Sequence, residues 1–331
     1  AEERDQERLR DLLTEFSDLF VGLGKVEGVL HHIKVPENVE PNCAPLRRKA
    51  RTELDQELAF VQEWVDKGVL EPCTSLWATY NVLVTKASGG YRLTTDFRKL
   101  NSLTEADTFP LEDMKAVLDW LGGKQVMSTL DMRESFFQIV LAEESRPLTA
   151  IRTPLGLYQY TRMPQGLKNS PATLQRVIIT RRLKRENSIC VHGLSHRRII
   201  GRGRSPTGPE GGFQRLRKRG VKLKFHMCCF GRRSVDILEH RLTSEGLQPN
   251  EVHLSAVRHY PEPYDRNSLL RSIGICRLFE AFLPDLPRRI QPLYEVLVGT
   301  NWKKKKRKAV SEVIPEWDSR WKLPQQEAFR D

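Results

Sequence analysis

The sequence contains no apolar run approaching the roughly 18 residues that a membrane-spanning helix requires, and no Cys-x-x-Cys pair among its six cysteines. It has no internal repeat either. The first absence removes a membrane partner from the reading. The second argues against a zinc module or a disulfide scaffold: Cys43, Cys73, Cys190, Cys228, Cys229 and Cys276 are scattered, with no histidine at ligand spacing. Reduced thiols and an intracellular setting, cytoplasmic or nuclear, are expected. The opening stretch AEERDQERLRDLL is charged from its second residue and is not expected to be a secretory signal. One absence is local. Between Glu186 and Glu210 there is no acidic residue at all, and the stretch VHGLSHRRIIGRGRSPTG carries Arg197, Arg198, Arg202 and Arg204.

What is present reads as a globular chain of two or three compact units: 331 residues, 39% hydrophobic and 29% charged. The net charge of +12 is concentrated. Residues 181–234 hold 16 Lys/Arg against Glu186 and Glu210, which leaves +14 there and −2 elsewhere. Such a block fits a polyanionic partner or a local departure from the rest of the sequence. KKKKRK at 303–308 reads as a solvated tether or a nuclear-localisation patch, and His31-His32 as a solvated pair in a linker.

Periodicity places the elements. Leu9, Leu12, Leu13, Phe16 and Leu19 mark a polar helix ahead of a proline-containing linker, and Leu54, Leu58, Val61 and Val65 an amphipathic helix. TYNVLVTK (79–86) and YRLTTDF (91–97) alternate on either side of Ser88-Gly89-Gly90, the signature of a hairpin. Asp113 caps a helix MKAVLDWL. VMSTLD, FFQIVLA, LTAIRT and GLYQYTR read as strands, and Ser170-Pro171 opens the helix ATLQRVI. SVDILEHRLT (234–243) reads as a strand and 265–282 as a helix with Leu269, Ile273, Cys276 and Phe279 on one side. Helices and strands alternate without a βαβ rhythm, so the class is α+β.

In STLDMRESFFQIV, an apolar strand delivers Asp131 into apolar surroundings. An acid there is costly unless it is capped, ion-paired or bound to a cation. Four stretches, YRLTTDFRKLN (91–101), STLDMRESFFQI (128–139), TPLGLYQYTRMPQGLKNSPATLQR (153–176) and GVKLKFHMC (220–228), stand in an order and at a spacing that resemble the reverse transcriptase domain of LTR retrotransposons, nearest the Ty3/gypsy class. The resemblance runs from about Leu12 to Phe329. It implies a right-hand polymerase with fingers, palm and thumb, acting on an RNA or DNA template with a primer and on deoxynucleotide triphosphates, with two Mg²⁺ or Mn²⁺ ions. Asp131 matches the first metal-binding carboxylate. Lys86 and Arg92 match fingers residues at the triphosphate, Phe136 the side chain that excludes a ribose 2′-hydroxyl, and Gln165 a residue lining the nucleotide pocket. VDILEHRLTSEG resembles the primer grip, with Glu239 in place of the usual Gly; Leu238 and His240 there, together with Arg98, Lys222 and Lys224, are expected on template or primer. Glu134 and Ser135 stand where the family has a small residue and Gly, so Ser135 is expected to strain the turn beside Asp131.

Two divalent cations need more than one carboxylate. The family supplies the others from a Tyr-x-Asp-Asp hairpin, which falls here near 190–200, within the acid-free tract. Written as codons and read one nucleotide later, Val191–Arg197 permits Tyr-Met-Asp, one residue that is not Asp, and Leu-Ile-Val. Two compensating frameshifts, near Cys190 and near Gly212, would account for the tract; an evolved nucleic-acid-binding arm is the alternative origin. The division implied is 1–40 N-terminal helix and linker; 41–182 fingers and palm; 183–212 an aberrant basic segment in place of the catalytic hairpin; 213–248 palm end and primer grip; 249–300 thumb; and 301–331 a basic linker running into a truncated RNase H-like region. Three readings follow: a reverse transcriptase impaired in this copy, a non-catalytic template-primer binding remnant, or a relic in which the central palm hairpin is missing.

Overall fold

The computed structural model describes residues 2–45, 48–86, 89–109, 126–179, 189–192, 198–202, 210–237, 240–297 and 321–330. The chain divides into two compact units, Ala1–Val235 and Asp236–Asp331. Strand pairing is antiparallel in every sheet of three or more strands whose register is defined, with one short parallel pair besides, so the α+β class holds.

In the first unit, helix α1 (Glu2–Glu15) and the 3₁₀ turn Ser17–Phe20 are not an appendage to the core. Leu12 is 7% exposed, and Phe16 and Leu19 are fully buried. The Phe16 ring lies 5.4 Å from that of Phe213, on helix α5 (Glu210–Lys218, numbering the helices described here in chain order). The apolar stripe of a short polar helix is stabilised only when it finds a partner, and that partner is almost 200 residues away. The linker that follows is ordered as well: β1 (Leu30–His31) pairs in parallel with β6 (Val140–Leu141). This corrects the reading of His31-His32 as a solvated pair. His31 is 2% exposed and its Nδ1 lies 2.8 Å from Thr173 Oγ1, whereas His32 is exposed and meets Glu144 at 2.7 Å.

Helix α2 (Arg51–Asp66) and the hairpin β3 (Asn81–Thr85) with β4 (Tyr91–Thr95) form as their periodicities require. At the hairpin turn Gly89 and Gly90 have φ of 84° and 77°, values that favour glycine. β2 (Leu70–Pro72), β8 (Gly156–Tyr160) and β7 (Ile151–Thr153) make a three-stranded sheet in that order. Helix α3 spans Arg98–Leu103 and α4 Ser170–Ile179. The helix expected after Asp113 lies outside the described residues. FFQIVLA is strand only at Val140–Leu141, because the chain reverses after Asp131 and buries Phe136 and Ile139 in turns. In LTAIRT, a 3₁₀ segment (Glu143–Thr149) precedes β7.

The central sheet runs β11 (Cys229–Arg232), β5 (Met127–Asp131), β10 (Arg198–Arg202), β9 (Ile189–His192). The basic tract therefore contributes an antiparallel hairpin, and the reading in which that hairpin is missing fails. A backbone ladder needs extended chain and paired amides rather than particular side chains, and Ile199-Ile200 suits it.

The second unit opens on a sheet of order β12 (Val235–Ile237), β13 (His240–Thr243), β14 (Gly246–Pro249), so SVDILEHRLT is two strands rather than one. Helices α6 (Glu251–Arg258), α7 (Arg266–Leu278), α8 (Leu286–Arg289) and α9 (Gln291–Glu295) follow. Asp265 and Ser268 form a reciprocal capping box at the start of α7. The core of this unit is Leu269, Ile273, Leu286, Ile290, Leu293, Val296 and Trp321, with Phe329 packed against it. Trp321 Nε1 donates to Glu262 at 2.6 Å, and helix α10 (Leu323–Arg330) lies beside α9. Residues 321–330, expected to begin a further domain, thus complete the core of the second unit.

Candidate active site

Asp131 closes β5, whose preceding four residues are 1–4% exposed. Both edges of that strand are occupied. On one, Arg198 is the register partner of Asp131 and Ile199 that of Leu130; on the other, Cys229 is opposite Thr129. The Asp131 amide donates to Cys228 Sγ at 3.3 Å, its carbonyl accepts from the Lys224 amide at 2.8 Å, and the Cys228 thiol donates to the Lys224 carbonyl at 3.3 Å. Asp131 is therefore fixed at the rim of the sheet, half-buried, with Lys224 alongside.

The turn behind it is held by a residue that the motifs do not single out. Gln138 is fully buried; its Nε2 donates to the carbonyls of Arg133 and of Lys222 (2.8 Å), and its Oε1 accepts from the Lys222 amide at 2.8 Å. A buried amide with both ends satisfied fixes two segments to each other. The approach is close: a Cβ on Gly24 would stand 2.3 Å from Gln138 Oε1, and one on Gly220 2.1 Å from the Lys25 carbonyl. The one sequence signal for Gln138 is an amide inside the otherwise apolar run FFQIV. Strain in this turn falls one residue earlier than expected. Glu134, not Ser135, has positive φ (42°), and its carboxylate meets Lys67 Nζ at 3.0 Å. Ser135 is fully buried, and among the described residues its hydroxyl has no hydrogen-bond partner. A positive φ at a residue other than glycine costs on the order of 1 kcal/mol.

Lys86 and Arg92 share a face of the β3–β4 hairpin: Val84 pairs with Arg92, and the Lys86 amide bonds the Gly90 carbonyl at 3.0 Å. Both side chains are exposed, on the side opposite buried Leu93. Phe136 is 7% exposed within the main core, and Gln165 is exposed in the loop before Gly166. Arg98 is engaged by its neighbour. Its Nε and Nη2 lie 2.8 and 2.6 Å from the Asp96 carboxylate, which also accepts from Tyr80 Oη. The Arg98 hydrogen bond is the largest of the influences that hold Asp96 well below the usual carboxylate range. Lys222 Nζ donates to the Asp18 carbonyl at 2.6 Å and lies 3.7 Å from its carboxylate. In the second unit His240 packs edge-on to Phe282, ring centroids 5.4 Å apart. Leu238 lies outside the described residues.

Among the described residues no three His, Cys, Asp or Glu side chains come together in a way that would hold a metal ion. In the sequence, residues 193–197 between β9 and β10 read Gly-Leu-Ser-His-Arg and contain no carboxylate. Among the described residues the site offers one carboxylate, with an arginine as its ladder partner and a cysteine sulfur behind it, and that set does not fit a pair of hard dications.

A family profile described as reverse transcriptase (RNA-dependent DNA polymerase) matches residues 84–191, ending inside β9. The retrovirus-related Pol polyprotein from transposon 297 of Drosophila melanogaster is 29% identical over 303 residues, covering 88% of this chain and 28% of that protein. The corresponding polyprotein from transposon 412 of the same organism is 29% identical over 280 residues, covering 80% and 22%. The chain thus spans about a quarter of the length of these relatives. Among solved structures, foamy viral protease-reverse transcriptase in complex with an RNA/DNA hybrid superposes with a TM-score of 0.79 at 19% identity, covering 98% of this chain and 43% of that one. The same protein with double-stranded DNA gives 0.78 at 21% identity, covering 89% and 62%.

Proposed function

We infer that this chain, which belongs to the reverse transcriptases of LTR retrotransposons and has their polymerase fold, is a piece of a Pol polyprotein whose ancestral activity was RNA-directed DNA synthesis and whose chemistry is impaired in this copy. The observation that carries the impairment is the pairing of Asp131 with Arg198 across a hairpin whose connecting residues hold no acid. The Tyr-x-Asp-Asp motif is lost, and the end of the family match at Val191 agrees with a change of reading frame near Cys190.

The nucleotide half of the site keeps its residue types. Lys86 and Arg92 are disposed to meet a triphosphate from the outer face of the hairpin, with Phe136 and Gln165 as walls of the nucleotide pocket. Primer and template contacts fall to Lys224, Leu238 and His240, since Lys222 and Arg98 are bonded to Asp18 and Asp96. Mg²⁺ or Mn²⁺ is the family's cofactor; among the described residues Asp131 is the carboxylate that would ligate it here. Losing the remaining carboxylates removes several kcal/mol of transition-state stabilisation, roughly a thousand-fold or more in rate.

The test is extension of a labelled DNA primer on an RNA template with all four deoxynucleotides and Mg²⁺ or Mn²⁺, beside Asp131→Asn. No extension in either chain, with primed template still bound, is expected. Extension abolished by Asp131→Asn would show that another acid completes the site and would overturn the reading. A second reading, a template-primer binding remnant, is favoured by exposed Lys218 and half-buried Arg215 and Arg219 on and after α5, with Lys224 beside Asp131. It predicts binding whose affinity falls steeply with salt.

A further inference from the structure

Away from Asp131, in the first unit, an open cleft of about 310 Å³ lies between the start of β2, β6 and the chain after β8. Three cations line it, Lys25, Arg146 and Arg162, against one carboxylate, Glu71; Gly68 and Thr161 complete much of the wall. The cations differ in what they already hold. Arg146 meets Glu71 at 3.4 Å and Glu143 at 3.8 Å. Glu71 is shared, because the same oxygen accepts from Gln159 Nε2 at 2.7 Å. Arg162 is half-buried and meets no carboxylate among the described residues: Nη1 donates to the Gly24 carbonyl at 3.3 Å. Burial alone pulls its pKa down, the mark of a guanidinium losing water without gaining a counter-charge. Lys25 is exposed, and among the described residues only its backbone is bonded, its amide donating to the Gly220 carbonyl.

A half-buried guanidinium with most of its donors unspent, facing a cleft beside a second guanidinium and an ammonium, is arranged for a tetrahedral oxyanion. We propose that the cleft formed by Lys25, Arg146 and Arg162 binds a phosphate group, at a site separate from the nucleotide residues around Asp131. A phosphate can arrive free or as a phosphodiester of a nucleic acid strand. The chemistry of recognition is the same, and the site rests on this cleft alone, not on the polymerase reading.

The experiment is titration calorimetry of the full chain at low salt with two probes, inorganic phosphate and a short single-stranded oligonucleotide without a terminal phosphate. Lys25→Gln removes a side chain that supports nothing in the fold, and about a three-fold loss of affinity is expected. Arg162→Gln should lose about ten-fold. Glu71→Gln, which keeps an acceptor for Gln159 while deleting the negative charge, should tighten binding. Losses with inorganic phosphate support a free-anion site, and losses confined to the oligonucleotide support a strand phosphate. Lys25→Gln and Glu71→Gln chains that bind both probes as the parent does, or a parent that binds neither, would overturn the proposal whatever the primer-extension result.

Discussion

The two strands that meet at Asp131 are built from the same ladder and carry different information. β5 is buried along four of its five residues, bonded on both edges and followed by a turn that Gln138 clamps to the chain at Lys222. β10, its neighbour, matches it residue for residue from Arg198–Asp131 to Arg202–Met127, yet comes from a tract with four arginines and no acid. Ladder hydrogen bonds are made by amides common to every residue, so strand pairing survives a wholesale change of sequence provided the chain can extend. A site for two dications survives only if particular oxygens remain. The fold is thus the more tolerant property, and on the proposed reading it outlasts the chemistry on one side of a single pair of strands.

The largest effect should come from making the two strands equivalent again. Replacing Val191→Tyr, His192→Met, Gly193→Asp and Leu194→Asp returns two carboxylates to the sequence between β9 and β10. Primer extension should then rise by roughly a thousand-fold over the parent chain. If the repaired chain stays silent while binding primed template, the lesion extends beyond the missing acids, and Glu134 and Ser135 in the turn are the next residues to revert.

A second test asks where the support on the β5 side begins again after the tract. Phe213 is fully buried, with its ring 5.4 Å from Phe16, 6.3 Å from Phe20 and 6.1 Å from Phe230. Phe213→Ala should cost about 4 kcal/mol in urea unfolding. A cost below about 1 kcal/mol would mean that α5 is not docked on the N-terminal helix.

That contact also shows why the sequence was legible in some places and not in others. The β3–β4 hairpin and α2 each reveal themselves within one window, since period two or 3.6 and a glycine turn are local properties. The burial of α1 is not local, because its stripe acquires meaning only from Phe213. Asp131, Lys86 and Arg92 stood out through motif order. Gln138 did not, because its one signal, a lone amide inside an apolar run, does not say which backbone groups it will bond. Positive φ at Glu134 had no signal either: the residue type predicts strain at Ser135, and the backbone put it one position earlier. The Asp265–Ser268 box reads D-x-x-S, where the usual cue is S-x-x-E.

His31 extends the comparison to the support behind the palm. Burial is the main cause that lowers its pKa from 6.5 to about 4, His32 adds to it and Asp107 opposes it. Between those values the unfolded chain takes up a proton that the folded chain refuses. Its contribution is therefore complete above pH 6.5 and is lost as pH falls towards 4, about 3 kcal/mol in all. Urea unfolding at pH 7 and pH 4.5 should show the loss, and His31→Gln should flatten the difference. An equal pH dependence in that variant would place the histidine in water, as the linker sequence alone had implied.

The smallest effect tests how much of the basic block is spent inside the protein. Arg217 Nε donates to Asp18 at 3.0 Å, its guanidinium lies 4.1 Å over the Phe16 ring, and Lys222 reaches the same aspartate. These groups are partly exposed, so Asp18→Asn should cost about 1 kcal/mol or less in stability. Its consequence for nucleic acid is larger in kind. Two cations now committed to Asp18 become available to phosphate, and each adds close to one unit to the slope of log affinity against log salt. Parent and Asp18→Asn chains compared on primed template from low to moderate salt should differ in that slope by one to two. Identical slopes would mean that Arg217 and Lys222 belong wholly to the fold.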